Sequence, residues 1–265
     1  MIKHTTNIKF PTNSRQRYYN THYRYVLEMF RHLNYQISFF RYEDKDKCVF
    51  PTYLNGKKVW FDFADSAKLT LPNDYNDEKI FKFHNQDNLR SLSFSPISFY
   101  NWNEYYNLLK DINYNPVNDV VSNRQRAYGN ATQRRNLVNR MLNKSFKTVG
   151  NNLLQLDFWK DINNISLSVC IPGQRIDILD RGQLQYMAFG CCTISTKLNI
   201  SLINDKLVPN IHYIQCKDDF SDLVPIIKSL FSKKEHMKEI GNNCKKLFEN
   251  NFTPKVTELW IMNNI

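Results

Sequence analysis

The chain has 265 residues, a formal net charge of +11, 42% hydrophobic residues and 23% charged residues. That is the balance of a globular chain with apolar material for one large domain or two small ones. Seven glycines and nine prolines exclude a fibrous or linker-rich chain, and no stretch approaches the 18 apolar residues of a membrane span.

The start, MIKHTTNIKF, lacks the apolar run of a secretory signal, so the expected location is the cytoplasm. Asparagine, lysine, isoleucine, tyrosine and phenylalanine are abundant, a bias that an AT-rich genome produces. A viral source fits it, and the location is then the host cytoplasm. None of the six cysteines forms a Cys-x-x-Cys pair, and no histidine stands at metal-ligand spacing from a cysteine pair. Cys170, Cys191 and Cys192 lie in apolar runs and read as reduced core residues. A basic chain meets something anionic: nucleic acid, a membrane surface or a phosphorylated ligand. The charge is dispersed, which argues against a nucleic-acid-binding tail. Its richest cluster is Arg124, Arg126, Arg134, Arg135 and Arg140. These suit either an anion site or a solvated helix face.

Residues 1–13 are polar and read as a frayed or edge element. Across 15–33 the residues Tyr19, Tyr23, Val26, Leu27, Phe30 and Leu33 recur at helical spacing, with Asn34 closing the helix. YQISFFRY reads as a strand. CVFPTYL and KVWFDFAD flank Asn55-Gly56, a hairpin signal. KIFKFH alternates as a further strand. SFSPISFY reads as a loop before a helix starting near Asn101 or Trp102, where Asn101 and Glu104 have capping-box spacing. The Asn/Pro cluster NYNPVN marks a boundary between a domain over 1–115 and one over 116–253. VNDVVSN is a short strand, RQRAYGNATQRRNLVNRML a basic helix, and SFKTVG a strand. FWKDINN is a short helix, ISLSVCIPG a buried strand, LDRGQLQYMAFG a helix and CCTIST a strand. HYIQCKD is a strand and SDLVPIIKSLF a helix with Pro225 in its first turn. EHMKEIGNNCKKLFEN places Met237, Ile240, Cys244, Leu247 and Phe248 on one helical face. PKVTELWIM, within 254–265, is a last helix that crosses back toward the first domain. Alternating strands and helices from residue 117 predict parallel βαβ units and an α/β fold.

The stretch from Cys170 to Ile194 is the most informative. A buried strand ends at Pro172-Gly173, a polar loop follows, and a helix starts near Arg181. In open α/β sheets ligands bind beyond the carboxyl ends of the strands, where the loop from Gly173 to Arg181 lies. Amides at a helix start hold phosphate, helped by the helix dipole. Arg181 in the first turn opposes that dipole unless an anion is bound, and it suits a charge-assisted phosphate contact. Pairing of Arg181 with Asp177 or Asp180 is the structural alternative.

The ordered series apolar strand, Pro172-Gly173, Asp177, Arg181, helix, MAFGC, strand, Pro209…His212-Tyr-Ile214 and Ser221-Asp-Leu223 resembles the carboxy-terminal domain of GT-B glycosyltransferases. It is most similar to the exostosin-like and protein O-glucosyltransferase-like branches, over roughly residues 117–255. The resemblance implies two Rossmann-like domains facing a cleft, the amino-terminal one small. The sugar nucleotide, a UDP- or GDP-sugar, lies between them and no metal or other cofactor is needed. It also implies that arginines after the first strand and on its helix approach the diphosphate: Arg135 first, then Arg126, with Arg124 beside them. Many relatives carry a ribose-binding Glu on the helix after Arg181, where this chain has Gln183 and Gln185.

An inverting transfer needs a base that reaches the attacking hydroxyl. Asp62 and Asp65 in FDFAD and His84 in FKFHN lie at strand ends and are the candidates. Asp65 also suits a turn cap. Lys82 alternates with Phe81 and Phe83 and is expected to point the other way. Tyr100 and Trp102 suit either a sugar platform or the core. The expected function is transfer of a sugar from a nucleotide diphosphate to a glycan, protein or nucleic-acid hydroxyl. Two other readings remain at this point: a non-enzymatic nucleic-acid-binding protein, and a catalytically degenerate transferase-fold module.

Overall fold

The computed structural model describes residues 4–12, 19–42, 49–64, 69, 75–83, 91–94, 99, 101–150, 152–173, 177–200 and 202–265, without the side chains of 4–6, 19–22, 83 and 91–94. Two compact units emerge: Met1–Asn103 with Ser201–Asn204 and Asn251–Ile265, and Glu104–Ile200 with Asp205–Asn250.

In the first unit the elements are β1 (His4–Thr12), α1 (Tyr19–His32), β2 (Tyr35–Arg41), β3 (Val49–Leu54), β4 (Lys57–Asp62), β5 (Lys79–Phe83) and β6 (Ser91–Phe94). Among the described residues they build one mixed sheet in the order β2-β1-β3-β4-β5-β6. The β1–α1–β2 connection makes a parallel pair, whereas β3 and β4 form a hairpin. Asn55 and Gly56 supply its turn with φ of 52° and 79°, the left-handed pair that a two-residue hairpin needs. Burial runs along both faces of β3 and β4, as in central strands. Val26, Met29 and Phe30 of α1 are fully buried. Removing a ring such as that of Phe30 from water stabilises by about 1.5–3 kcal/mol. The helix ends where Asn34 turns left-handed at φ 61°.

Two expectations change here. The amino-terminal segment is no edge: β1 pairs with both β2 and β3, and Ile8 and Phe10 are fully buried. Two apolar residues at alternate positions suffice to bury it amid polar neighbours. Ser93 and Phe94, the start of the segment read as loop, belong to a strand, Ser91–Phe94, that pairs in parallel with β5.

α2 (Trp102–Leu108) begins in the first unit and runs into the second, which holds β7 (Val120–Ser122), α3 (Thr132–Ser145), β8 (Lys147–Val149), α4 (Gln155–Lys160), β9 (Leu167–Val169), α5 (Arg181–Ala188), β10 (Thr193–Ser195), β11 (Ile214–Gln215), α6 (Leu223–Phe231) and all but the last residue of α7 (Lys234–Asn251). Its described strands are all parallel, in the order β11-β10-β9-β7-β8. The basic helix starts later than its sequence suggests: residues 124–128 are loop, and a 3-10 turn at Gly129–Ala131 leads into α3. Val121, Leu167, Val169, Ile194, Ile227, Met237 and Ile240 share one core.

α5 and α7 meet this core at a glycine pair. Gly190 turns the chain at φ 74°, and a Cβ on Gly241 would lie 1.9 Å from the Gly190 carbonyl oxygen. Cys170, Cys191, Cys192, Cys216 and Cys244, all in this unit, are buried free thiols. The final helix, α8 (Pro254–Asn263), belongs to the first unit, where it packs on α1. Buried Glu258 accepts a hydrogen bond there from the Tyr35 hydroxyl. Among the described residues no helix is long and apolar enough to cross a membrane.

Candidate functional site

Counted from β7, the strand order of the second unit is 2-1-3-4-5. After β7 the chain builds the sheet in one direction through α3 to β8. After β9 it builds in the other through α5 to β10. The carboxyl ends of β7 and β9 therefore flank a topological switch point, where an open parallel sheet leaves a crevice for ligand.

A pocket of about 220 Å³ lies at these strand ends, lined among others by Arg124, Arg126, Tyr128, Arg135, Asp180 and Gly182. Its walls are sewn together from α3. Buried Arg135 donates from Nε (3.2 Å) and Nη2 (2.8 Å) to the Ile171 carbonyl after β9. Its Nη1 reaches the Arg126 carbonyl after β7 at 2.7 Å, and Nη2 also meets Asp180 Oδ2 at 2.8 Å. Arg134 Nη2 donates to the carbonyls of Pro172 (3.1 Å) and Gly173 (3.0 Å). Burial, helped by the neighbouring Arg135 charge, lowers the Arg134 pKa. Gln125 Oε1 accepts from the Ile171 backbone N–H, a third tie between the two loops.

Asp180 is the N-cap of α5: its Oδ1 accepts from the Gly182 N–H at 2.8 Å. Its carboxylate thus takes one first-turn amide and offsets the adjacent Arg181 against the helix dipole. Asp180, one of the two acidic partners that Arg181 suggested, is bound to Arg135. Arg124 pairs with Asp161. Arg126 is exposed and has no side-chain partner among the described residues. The Tyr128 ring lies 5.4 Å from the Arg135 guanidinium and stays 48% exposed, so one face is open to a ligand. On the inner side, burial raises the Cys170 and Tyr186 pKa values, keeping both groups neutral against the arginines. The Tyr186 hydroxyl lies 2.6 Å from Ser122 Oγ.

Arg124, Arg126 and Arg135 are therefore brought together at one pocket. Gly173 stands at its edge, where a Cβ would lie 3.3 Å from the Tyr128 hydroxyl. Arg181 opens α5 half-exposed. The Asp177 carbonyl accepts from the Asn199 N–H at 2.8 Å. Gln183 is fully buried and donates to Thr193 Oγ1 at 3.1 Å, so its amide points into the fold. Gln185 accepts from Trp159 Nε1 at 2.7 Å and Gln155 Nε2 at 3.2 Å. In the first unit Asp62 is fully buried and pairs with Lys82 at 3.0 Å, and its Oδ1 also takes the Ala64 N–H at 2.8 Å. That carboxylate braces β4 against β5. Asp65, His84 and Tyr100 lie outside the described residues. Gln125, Tyr128, Phe158 and Tyr186 line the pocket and were not singled out by sequence. The usable signal for the first two was their place in the loop directly after a switch-point strand.

No protein-family model and no curated protein matches the chain. Among solved structures, the chain is similar to Anabaena Alr3699/HepE in complex with UDP, at 10% identity and a TM-score of 0.44 over 66% of this chain. The match spans 57% of that protein, little more than half its length. The strand order and the pocket, not this distant likeness, locate the site.

Proposed function

We propose that the chain is a metal-independent glycosyltransferase that moves a sugar from a UDP- or GDP-linked donor to a hydroxyl of a glycan, protein or nucleic acid. The observation that supports this reading is the arginine-lined pocket at the β7/β9 switch point. Arg126, exposed and unpaired among the described residues, meets the diphosphate with Arg181 from the first turn of α5. Arg135 has donated to two carbonyls and Asp180, so it positions the loops and lends field rather than contact. The open face of Tyr128 stacks on the base. Arg124 stays paired with Asp161 at the rim.

In the transfer, the acceptor oxygen bonds to the anomeric carbon as the bond from that carbon to the β-phosphate oxygen breaks. The acceptor proton passes to a base, and the arginines offset the charge that builds on the leaving diphosphate. Asp65 and His84 are the proposed bases, because Asp62 is held inside its ion pair.

Thermal shift and calorimetry with UDP and GDP test the reading. One of the two is expected to raise the melting temperature. Arg126→Ala is expected to weaken that nucleotide roughly tenfold, the order of one charge-assisted hydrogen bond. Stabilisation by no UDP-, GDP- or CMP-sugar, together with tight salt-sensitive DNA binding, would sink it.

A further inference from the structure

A second pocket, of about 320 Å³, opens elsewhere on the same unit. One wall is the face of α7 carrying Lys238, Asn242 and Lys245 at positions i, i+4 and i+7. The facing wall is Asn113, Tyr114 and Asn115, and Phe189 with Gly190 forms the floor. This is the opposite end of the sheet from the switch point. Gly190 precedes β10, and the Tyr114 hydroxyl donates to the carbonyl of Ser166, the residue before β9. The pocket therefore lies by the amino ends of the strands.

Its walls are built before any ligand arrives. The Asn113 N–H donates to Asn163 Oδ1 at 3.1 Å, and Tyr114 is anchored at Ser166. The absent side chains of Gly190 and Gly241 let α7 close on the floor. The polar groups are held ready yet unused. Lys245 has no hydrogen-bond or ion-pair partner among the described residues, and neither do the side-chain amides of Asn113, Asn115 and Asn242. Lys238 shares its charge with Glu235 at 2.9 Å, an exposed pair that gives way at little cost.

We infer that this pocket binds a small, hydroxyl-rich anion of the sugar-phosphate class. Two ammonium groups on one helix face match a phosphate. Amides that both donate and accept match hydroxyls, which do the same. The volume lies at the small end of ligand pockets, which suits one phosphorylated monosaccharide rather than a dinucleotide. The site is independent of the nucleotide reading and stands or falls separately.

Calorimetry on the full chain with glucose 6-phosphate, glucose and inorganic phosphate as probes tests it. Glucose 6-phosphate is expected to bind more tightly than either of the others, and saturating UDP leaves that binding unchanged. Lys245→Ala and Asn242→Ala, both in the pocket wall, are each expected to weaken it roughly tenfold. Both variants keep the wild-type melting temperature. Three results would overturn the proposal: glucose 6-phosphate no tighter than phosphate, competition by UDP, or affinity untouched by both substitutions.

Discussion

At the scale of single residues, the charges of this protein divide into those that hold it together and those left open. Asp62 and Lys82 are paired across β4 and β5 with both side chains fully buried. Removing one partner strands a charge in the interior. Lys82→Met is therefore expected to cost about 3–5 kcal/mol in urea denaturation, and Asp62→Asn in the same chain should recover most of it. If the double variant is as unstable as the single one, the pair is not what braces the strands. His212 sets a second expectation. Its Nδ1 accepts from the Val208 N–H at 3.0 Å, and burial lowers its pKa, partly countered by Asp205. The unfolded chain then binds the proton at higher pH than the folded one. Stability should be flat above the ordinary histidine range and fall with pH just below it. Melting curves across that window should lose this slope in His212→Gln. Sequence placed the arginines near one site but ranked Arg135 first. Its donors are spent on carbonyls 36 and 9 residues away in the chain, a bookkeeping that no local pattern displays. The Asp62–Lys82 pair was hidden for the same reason: it depends on the register of two strands.

At the scale of elements, most of the second unit was legible. Strands and helices alternate there, and each apolar run is short enough to have one reading. The first unit was harder. β1 has few apolar residues and β6 only Leu92 and Phe94, so pairing rather than composition makes them strands. The start of α3 was misplaced because five residues after β7 leave the helical pattern to form the pocket loop. Close approach of two elements is equally invisible to periodicity, and the glycine pair shows it. Alanine ordinarily stabilises a helix interior by about 1 kcal/mol over glycine. Gly241→Ala is expected to do the reverse, losing about 1–3 kcal/mol or more, because its Cβ meets backbone at 1.9 Å. Chemical denaturation decides the sign, and a stabilised Gly241→Ala would mean that α7 is free to shift.

At the scale of the whole molecule, the chain is interleaved. It leaves the first unit near residue 103, builds the second, and returns for its last fifteen residues, Asn251–Ile265. Nothing local announces that Ser201–Asn204 also belongs to the first unit. There Asn251 Oδ1 accepts the Asn204 N–H at 2.8 Å. The buried thiols supply a stopwatch for the second unit. Burial pushes Cys192 and Cys216 up to about 12, so little thiolate exists at neutral pH and alkylation must wait for the fold to open. In a Cys48→Ser background, maleimide uptake counted by mass is expected to be negligible in native buffer. With rising urea it should appear at all five thiols together. Staggered uptake would reveal sub-global openings, and immediate uptake would contradict the burial. A chain whose first unit is closed by residues from both its ends thus carries, in its second, a silent recorder of when that unit comes apart.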